Sequence, residues 1–247
     1  MNSNVIDLSG KVALVTGGSR GIGRAIVEDL ARSGATVAFT YVSSADKAKE
    51  LEAELATASQ VKGFQSELSD IARLNELVTA IENEFGMLDI LVNNAGIFAS
   101  QPFEEVTESD FDQLFTTNVK GPFFLTQQLL PLMKNQGRII NVSSGSTRHH
   151  VPLTSVYAAT KAALEQFTRL WFKELAPRGI TVNSILPGYT ATDWVAYVPE
   201  EQKTWMASQA AFGRLGSAQD ISKAVLFLAS HLGEWVTGQN IAVDGGL

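Results

Sequence analysis

The chain has 247 residues, 45% of them hydrophobic, enough for a substantial core as one large domain or two small ones. A net charge of −7 and an isoelectric point near 5.0 argue against a nucleic-acid partner, and the lack of cysteine excludes disulfides, a thiolate nucleophile and cysteine metal sites. The opening MNSNVIDLSGKVALVTGG has no basic stretch followed by an apolar one, and no apolar run reaches bilayer length, so a cytoplasmic protein without a membrane partner is expected.

The first predicted element is a strand, KVALVT (11–16), running into TGGSRGIG (16–23) and a helical period over 22–33. Gly17, Gly21 and Gly23 follow the spacing GxxxGxG, and Ser19, Arg20 and Ile22 complete the loop. Glycines let a backbone turn sharply and approach a pyrophosphate, which rests on the positive N-terminus of the helix. The second strand, TVAFTY (36–41), ends in Tyr41, and Val42, Ser43 and Ser44 follow with no acid before Asp46. An acid at this point would bind the 2′-hydroxyl of NAD. Its absence, with Arg20 and the two serine hydroxyls nearby, favours the 2′-phosphate of NADP(H) over NAD(H). The same serines would also suit the cap of the next helix.

Helical periods follow at 45–58, 70–85, 119–134, 155–176 and 218–230. Strands are predicted at 61–66 (VKGFQS), 89–94 (DILVNN), 137–143 (GRIINVS), 180–186 (ITVNSIL) and 240–244 (NIAVD). The strands are continuous apolar runs, as when helices cover both sheet faces, and strand–helix alternation implies βαβ units in a parallel sheet. No linker or repeat interrupts the chain, so one domain over 1–247 is expected, with an irregular stretch at 188–215.

The segment VYAATKAAL (156–164) places Tyr157 and Lys161 one helical turn apart on one face, among alanines. Reduction of a carbonyl leaves charge on oxygen that must be stabilised and protonated. A tyrosine titrates near 10, and a cation one turn away, with the charge of an oxidised nicotinamide, would lower that value. His149 and His150 are adjacent and lack a carboxylate–histidine ligand pattern, so no metal is expected.

Taken together, TGGSRGIG (16–23), NNAG (93–96), the asparagine of TTNVKG (116–121), Ser144 with Tyr157 and Lys161, PGYTAT (187–192) and the closing GRLG…TGQNIAVDGG resemble the short-chain dehydrogenase/reductase family over essentially the whole chain. The resemblance implies a Rossmann-type, doubly wound α/β fold with a seven-stranded parallel sheet. It also implies an NAD(P)-dependent alcohol–carbonyl reaction on a small-molecule substrate, and often a homotetramer. By resemblance Tyr157 is the general acid/base, Lys161 also binds the nicotinamide ribose, Ser144 hydrogen-bonds the substrate oxygen and Asn118 supports a water chain to Lys161. Asn94, Ala95 and Gly96 would contact the adenosine ribose. Pro187, Gly188, Thr190 and Thr192 would hold the carboxamide and phosphates. Near the adenine the family usually has an aspartate; this chain has Glu67-Leu68, one methylene longer.

The stretch 188–215 resembles the family's substrate lid. Its aromatics Tyr189, Trp194, Tyr197 and Trp205, with Phe98 and His150, are the substrate candidates, and they suit a hydrophobic or aryl carbonyl. The segment GRLGSAQDISKAVLFLAS resembles 3-oxoacyl-carrier-protein reductases, which makes a 3-oxoacyl thioester the specific alternative. Of the two basic residues that typically dock the acidic carrier, Arg178 matches one and Asn135 stands in the other's place. A non-catalytic NADP(H) sensor typically loses the tyrosine or lysine, and a Rossmann-like methyltransferase would need neither. The helix at 155–176 is apolar on nearly every side and the one at 119–133 beyond a single stripe, which predicts a four-helix contact with a second subunit, in a dimer or tetramer.

Overall fold

The structure, a computed structural model, describes residues 6–247, the side chain of Trp194 excepted. Strands and helices alternate as β1 (Val12–Val15), α1 (Gly21–Arg32), β2 (Thr36–Tyr41), α2 (Ala45–Leu55), β3 (Val61–Gln65), α3 (Ile71–Phe85) and β4 (Leu88–Asn93). They continue as α4 (Glu108–Phe115), α5 (Gly121–Leu129), β5 (Met133–Val142), α6 (Ser155–Leu175) and β6 (Thr181–Pro187). The chain closes with β7 (Thr190–Ala191), α7 (Glu200–Gln209), β8 (Gly216–Ser217), α8 (Ala218–Ala229) and β9 (Asn240–Val243).

A 7-stranded parallel sheet has the order β3-β2-β1-β4-β5-β6-β9. This is the doubly wound Rossmann-type α/β fold. The strand order reverses between β1 and β4, and in such sheets the crevice outside the strands' carboxyl ends at this switch point is the usual ligand position.

The pleat shares the apolar runs between two cores. Ala13 and Val15 of β1, Val37 and Phe39 of β2, Ile90 and Val92 of β4 and Ile140 and Val142 of β5 pack with α1, α2 and α8. Leu14, Ala38, Leu91 and Ile139 point the other way, against α3 and α5. Fully burying one such side chain contributes roughly 1.5–3 kcal/mol, so both faces hold the sheet.

Three stretches differ from the sequence expectation. The helix predicted at 119–134 stops at Leu129, is preceded by α4, and joins α4 through a π-helical turn over Thr116–Lys120. Residues from Met133 onward already belong to β5, whose register against β4 shifts between Leu88 and Ile90. The irregular stretch 188–215 contains the short β7, a 3-10 turn over Asp193–Tyr197 and helix α7. Only Met206 of α7 is buried, so the sequence there carries no apolar stripe to read.

Candidate active site

The glycine loop follows β1 into the crevice. Gly17 and Gly21 have φ of 67° and 54°, the left-handed region that favours glycine. Gly23 is required for a different reason: a Cβ there would lie 2.1 Å from the Gly17 carbonyl oxygen. Two threonines that sequence reasoning missed hold the loop. The Thr40 hydroxyl accepts from Gly17 N at 3.0 Å, and the buried Thr16 hydroxyl accepts from Asn94 N and Ala95 N at 3.0 and 2.9 Å. The Asn94 side-chain amide donates to the carbonyls of Thr16 and Gly17, so it fastens β4 to the loop.

Helix α1 starts at Gly21 with no acid in its first turn, and Arg20 at its N-cap makes no side-chain capping bond. No acid of the helix's own first turn competes with an anion for its first N–H groups. Arg20 is exposed, and its side chain forms no ion pair or hydrogen bond among the described residues. Ser44 sits at the N-cap of α2, yet its hydroxyl makes no capping bond, and Ser43 is exposed. The alternative of helix-capping serines therefore finds no support in the geometry. Tyr41 packs tilted on Phe39, with ring centroids 6.4 Å apart. Leu68 is buried against Gly121, while Glu67 is exposed and accepts from the Ser69 hydroxyl at 2.8 Å.

Across the crevice, Pro187 ends β6, and Gly188 lies so close to Asp244 that a Cβ would come within 2.8 Å. Buried Thr190 bonds the Gly188 carbonyl, and Thr192 reaches over Gly21, 3.5 Å from where a Cβ would be. Just beyond it, Asp193 pairs with Lys47 of α2 at 3.1 Å.

The proton-handling side chains meet at the end of β5. Ser144 Oγ accepts from Ser146 N at 3.2 Å and Ser146 Oγ at 3.0 Å, which leaves its own proton to give. Tyr157 is half-buried. Burial pushes its phenol above the ordinary value, and a hydrogen bond with Ser144 works against that shift. The lowering by Lys161 expected from sequence is absent in the chain itself. Lys161 Nζ donates to the Val142 carbonyl at 2.9 Å and sits 5.9 Å from the Tyr157 ring centroid. Lys161 is only 4% exposed, and burial lowers its ammonium to about 8.

Asn118 lies in the π-helical turn, a form found often at functional sites. Its carbonyl oxygen accepts from Ile97 N at 2.8 Å, and its amide donates to Ile97 O and to Thr160 Oγ1. The side chain is thus committed to protein groups and braces the turn after β4 against α6.

Of the substrate candidates, Phe98 stands edge-on to Tyr157 at 4.9 Å between centroids. Tyr189 and Trp205 form a tilted pair at 6.1 Å. Tyr197 is 90% exposed and His150 is exposed, so neither is packed into the site. The Trp194 side chain lies outside the described residues. His149 lies 3.7 Å from Asp244. No group of three or more His, Cys, Asp or Glu that could hold a metal occurs among the described residues, and no helix is long and apolar enough to cross a membrane.

Comparison with known proteins fits this geometry. Residues 17–247 match a family model described as enoyl-(acyl carrier protein) reductase. The 3-oxoacyl-acyl-carrier-protein reductase FabG of Aquifex aeolicus is 41% identical over 248 residues, covering 98% of this chain and 99% of FabG. A blue fluorescent protein from a metagenomic library, solved with NADPH, superposes with a TM-score of 0.93 at 40% identity, over 97% of this chain and 98% of the other. The angucycline C-6 ketoreductase LanV, solved with NADP, gives 0.92 at 40% identity, over 97% and 96%.

Proposed function

The chain belongs to the short-chain dehydrogenase/reductase family, and from that premise we propose that it is an NADPH-dependent reductase converting a ketone or aldehyde carbonyl to an alcohol. The observation that carries this reading is the convergence of Ser144, Tyr157 and Lys161 beside a glycine loop with an unpaired arginine. The residues present fit the dinucleotide. The open N-terminus of α1 suits its pyrophosphate, Arg20, Ser43 and Ser44 suit a 2′-phosphate, and backbone at 94–96 and 187–192 completes the cleft. When bound, it supplies the hydride. The NADPH-bound and NADP-bound neighbours support the same choice.

In this reading Ser144, which accepts from Ser146 and has one proton of its own, turns that proton from Tyr157 to the substrate oxygen and holds the carbonyl beside the phenol. Tyr157 passes its phenolic proton to that oxygen as charge develops there. Lys161 keeps a buried positive charge by the ring and steadies the phenolate left behind. Asn118 fixes the turn through Ile97 to the same helix. Phe98 and the Tyr189–Trp205 pair suit a hydrophobic or aryl substrate.

A 3-oxoacyl thioester is the second reading, favoured by the FabG relative. A carrier-protein partner draws less support, because Arg178 is already committed to the carbonyls of Leu130 and Met133 and to Asn135. NADPH consumption with aryl ketones, aldehydes and carrier-free 3-oxoacyl thioesters tests the proposal. Tight NADPH binding without turnover of any of them would favour a non-catalytic sensor.

Cofactor choice should respond to the 2′-phosphate residues. In the double variant Tyr41→Asp, Arg20→Ala, kcat/KM for NADPH should fall roughly 10- to 100-fold relative to NADH, the worth of one charge-assisted hydrogen bond. Tyr41 also packs on Phe39, so Arg20→Ala alone, at an exposed and unpartnered position, gives the cleaner comparison. A wild-type preference for NADH would overturn the assignment.

Assembly follows from an inversion on α6. Its buried residues include Thr160, Lys161, Glu165 and Thr168, while Leu170 is 49% exposed and Ala159 and Ala162 face outward. Phe167 stacks on Trp171 at 5.1 Å and meets Phe123 of α5 at 5.2 Å. We propose that this apolar side pairs with a second copy about a two-fold axis. Light scattering at micromolar concentration should give a mass near two or four times 26.6 kDa, and a stable, active monomer would reject the idea.

A further inference from the structure

Three consecutive residues at the end of β5 are tied to α6. The Val142 carbonyl accepts from Lys161 Nζ at 2.9 Å. Ser143 Oγ lies 2.8 Å from Glu165 Oε1 and 3.1 Å from the Lys161 carbonyl. Ser144 bonds Tyr157. The reaction proposed above uses the first and third ties and leaves Glu165 without a task.

Glu165 is an odd residue for its place. It is 8% exposed, one helical turn beyond Lys161, and takes part in no ion pair among the described residues. Among the described residues the one hydrogen-bond partner of its carboxyl is the Ser143 hydroxyl. A buried carboxyl served so sparingly costs stability, and an apolar side chain of similar shape would commonly do better. The Ser143 hydroxyl has one proton and two acceptors, of which the carboxyl is the nearer. Without Glu165 that proton would turn wholly to the helix backbone, and the tie between strand and the second turn of the site would be lost.

We propose that Glu165 is a positioning residue, which acts through Ser143 to fix the end of β5 against α6 and so sets the Ser144–Tyr157 hydrogen bond. This rests on the role given above to Ser144 and Tyr157. Angular tolerance in such a constellation is small, and a misplacement on the ångström scale is costly.

The test combines kinetics with a measurement that needs no substrate. Glu165→Met keeps the length of the side chain and removes the acceptor. It should lower kcat about tenfold, with KM for NADPH within twofold of wild type and a melting temperature equal or higher. Glu165→Gln keeps an acceptor and should recover most of the rate. Ser143→Ala, which also removes the contact with the Lys161 carbonyl, should show at least the same loss, and the double variant Ser143→Ala, Glu165→Met should be no worse than Ser143→Ala alone, because Glu165 acts through that hydroxyl. With isotopically labelled tyrosine followed by NMR, and Tyr157→Phe to assign the signal, Tyr157 should titrate higher in Glu165→Met, since a loosened Ser144 no longer holds it down. Lys161 is the charged group beside that ring, and it is unchanged in these variants.

An unchanged kcat in Glu165→Met, losses that multiply in the double variant, or a Glu165→Gln as slow as Glu165→Met would each overturn the proposal. If Glu165→Met does not fold, Ser143→Ala decides, and a kcat within twofold of wild type rejects the idea. A wild-type protein that reduces no carbonyl would reject the proposed function instead, and the Tyr157 titration would still answer for Glu165.

Discussion

Tyr157→Phe is expected to lower kcat by about 10²-fold or more while leaving NADPH affinity close to wild type, the scale of positioned proton transfer. Phenylalanine keeps the ring that stands edge-on to Phe98 and lies beneath Lys161, so packing around the site is preserved. Only the phenolic proton and the bond with Ser144 disappear. Ser144 would still hold the substrate oxygen, which leaves some residual rate. Steady-state kinetics with a ketone, beside a direct NADPH titration, separates the two effects. Wild-type kcat in the variant would show that another group delivers the proton.

Lys161→Met should damage both measures. The methionine stem fills nearly the same space but carries no charge, so the developing phenolate loses its buried counter-ion. Removing one such preorganised donor from a dry site costs on the order of 10²–10³ in kcat. By family resemblance Lys161 also bonds the nicotinamide ribose, so KM for NADPH should rise as well, unlike in Tyr157→Phe. Equal NADPH affinity in the two variants would remove Lys161 from the cofactor site and leave it with the phenol alone.

Much of this was legible in the sequence because it is local or periodic. Continuous β-branched runs marked the buried strands, and Tyr157 and Lys161 announced a shared helix face by their spacing. The hydroxyls of Thr16 and Thr40 were invisible because their partners, Asn94, Ala95 and Gly17, come from other strands and loops. Glu165 drew no reading from the sequence, since nothing local tells that Ser143 lies opposite. The π-helical turn at Asn118 inserts its wide turn without any change in composition. Helix α7 escaped because its pattern has no apolar face, and the match of Arg178 to a carrier-docking base gave no sign of the three partners that hold it.

The burial of Lys161 also has a thermodynamic side. An unfolded lysine holds its proton up to about 10.5, whereas the folded chain releases it near 8. Between those values unfolding takes up a proton, so the folded state gains stability as pH rises through the window and is weakest, on this account, below it. The penalty at neutral pH is of the order of 3 kcal/mol, a large share of what holds a typical domain together. Above that window Tyr157 works the other way, because the folded chain keeps its phenolic proton longer than the unfolded one does. The charge that would serve the reaction is thus carried at the expense of the fold, and the disabled Lys161→Met protein should melt at a higher temperature than the wild type at neutral pH.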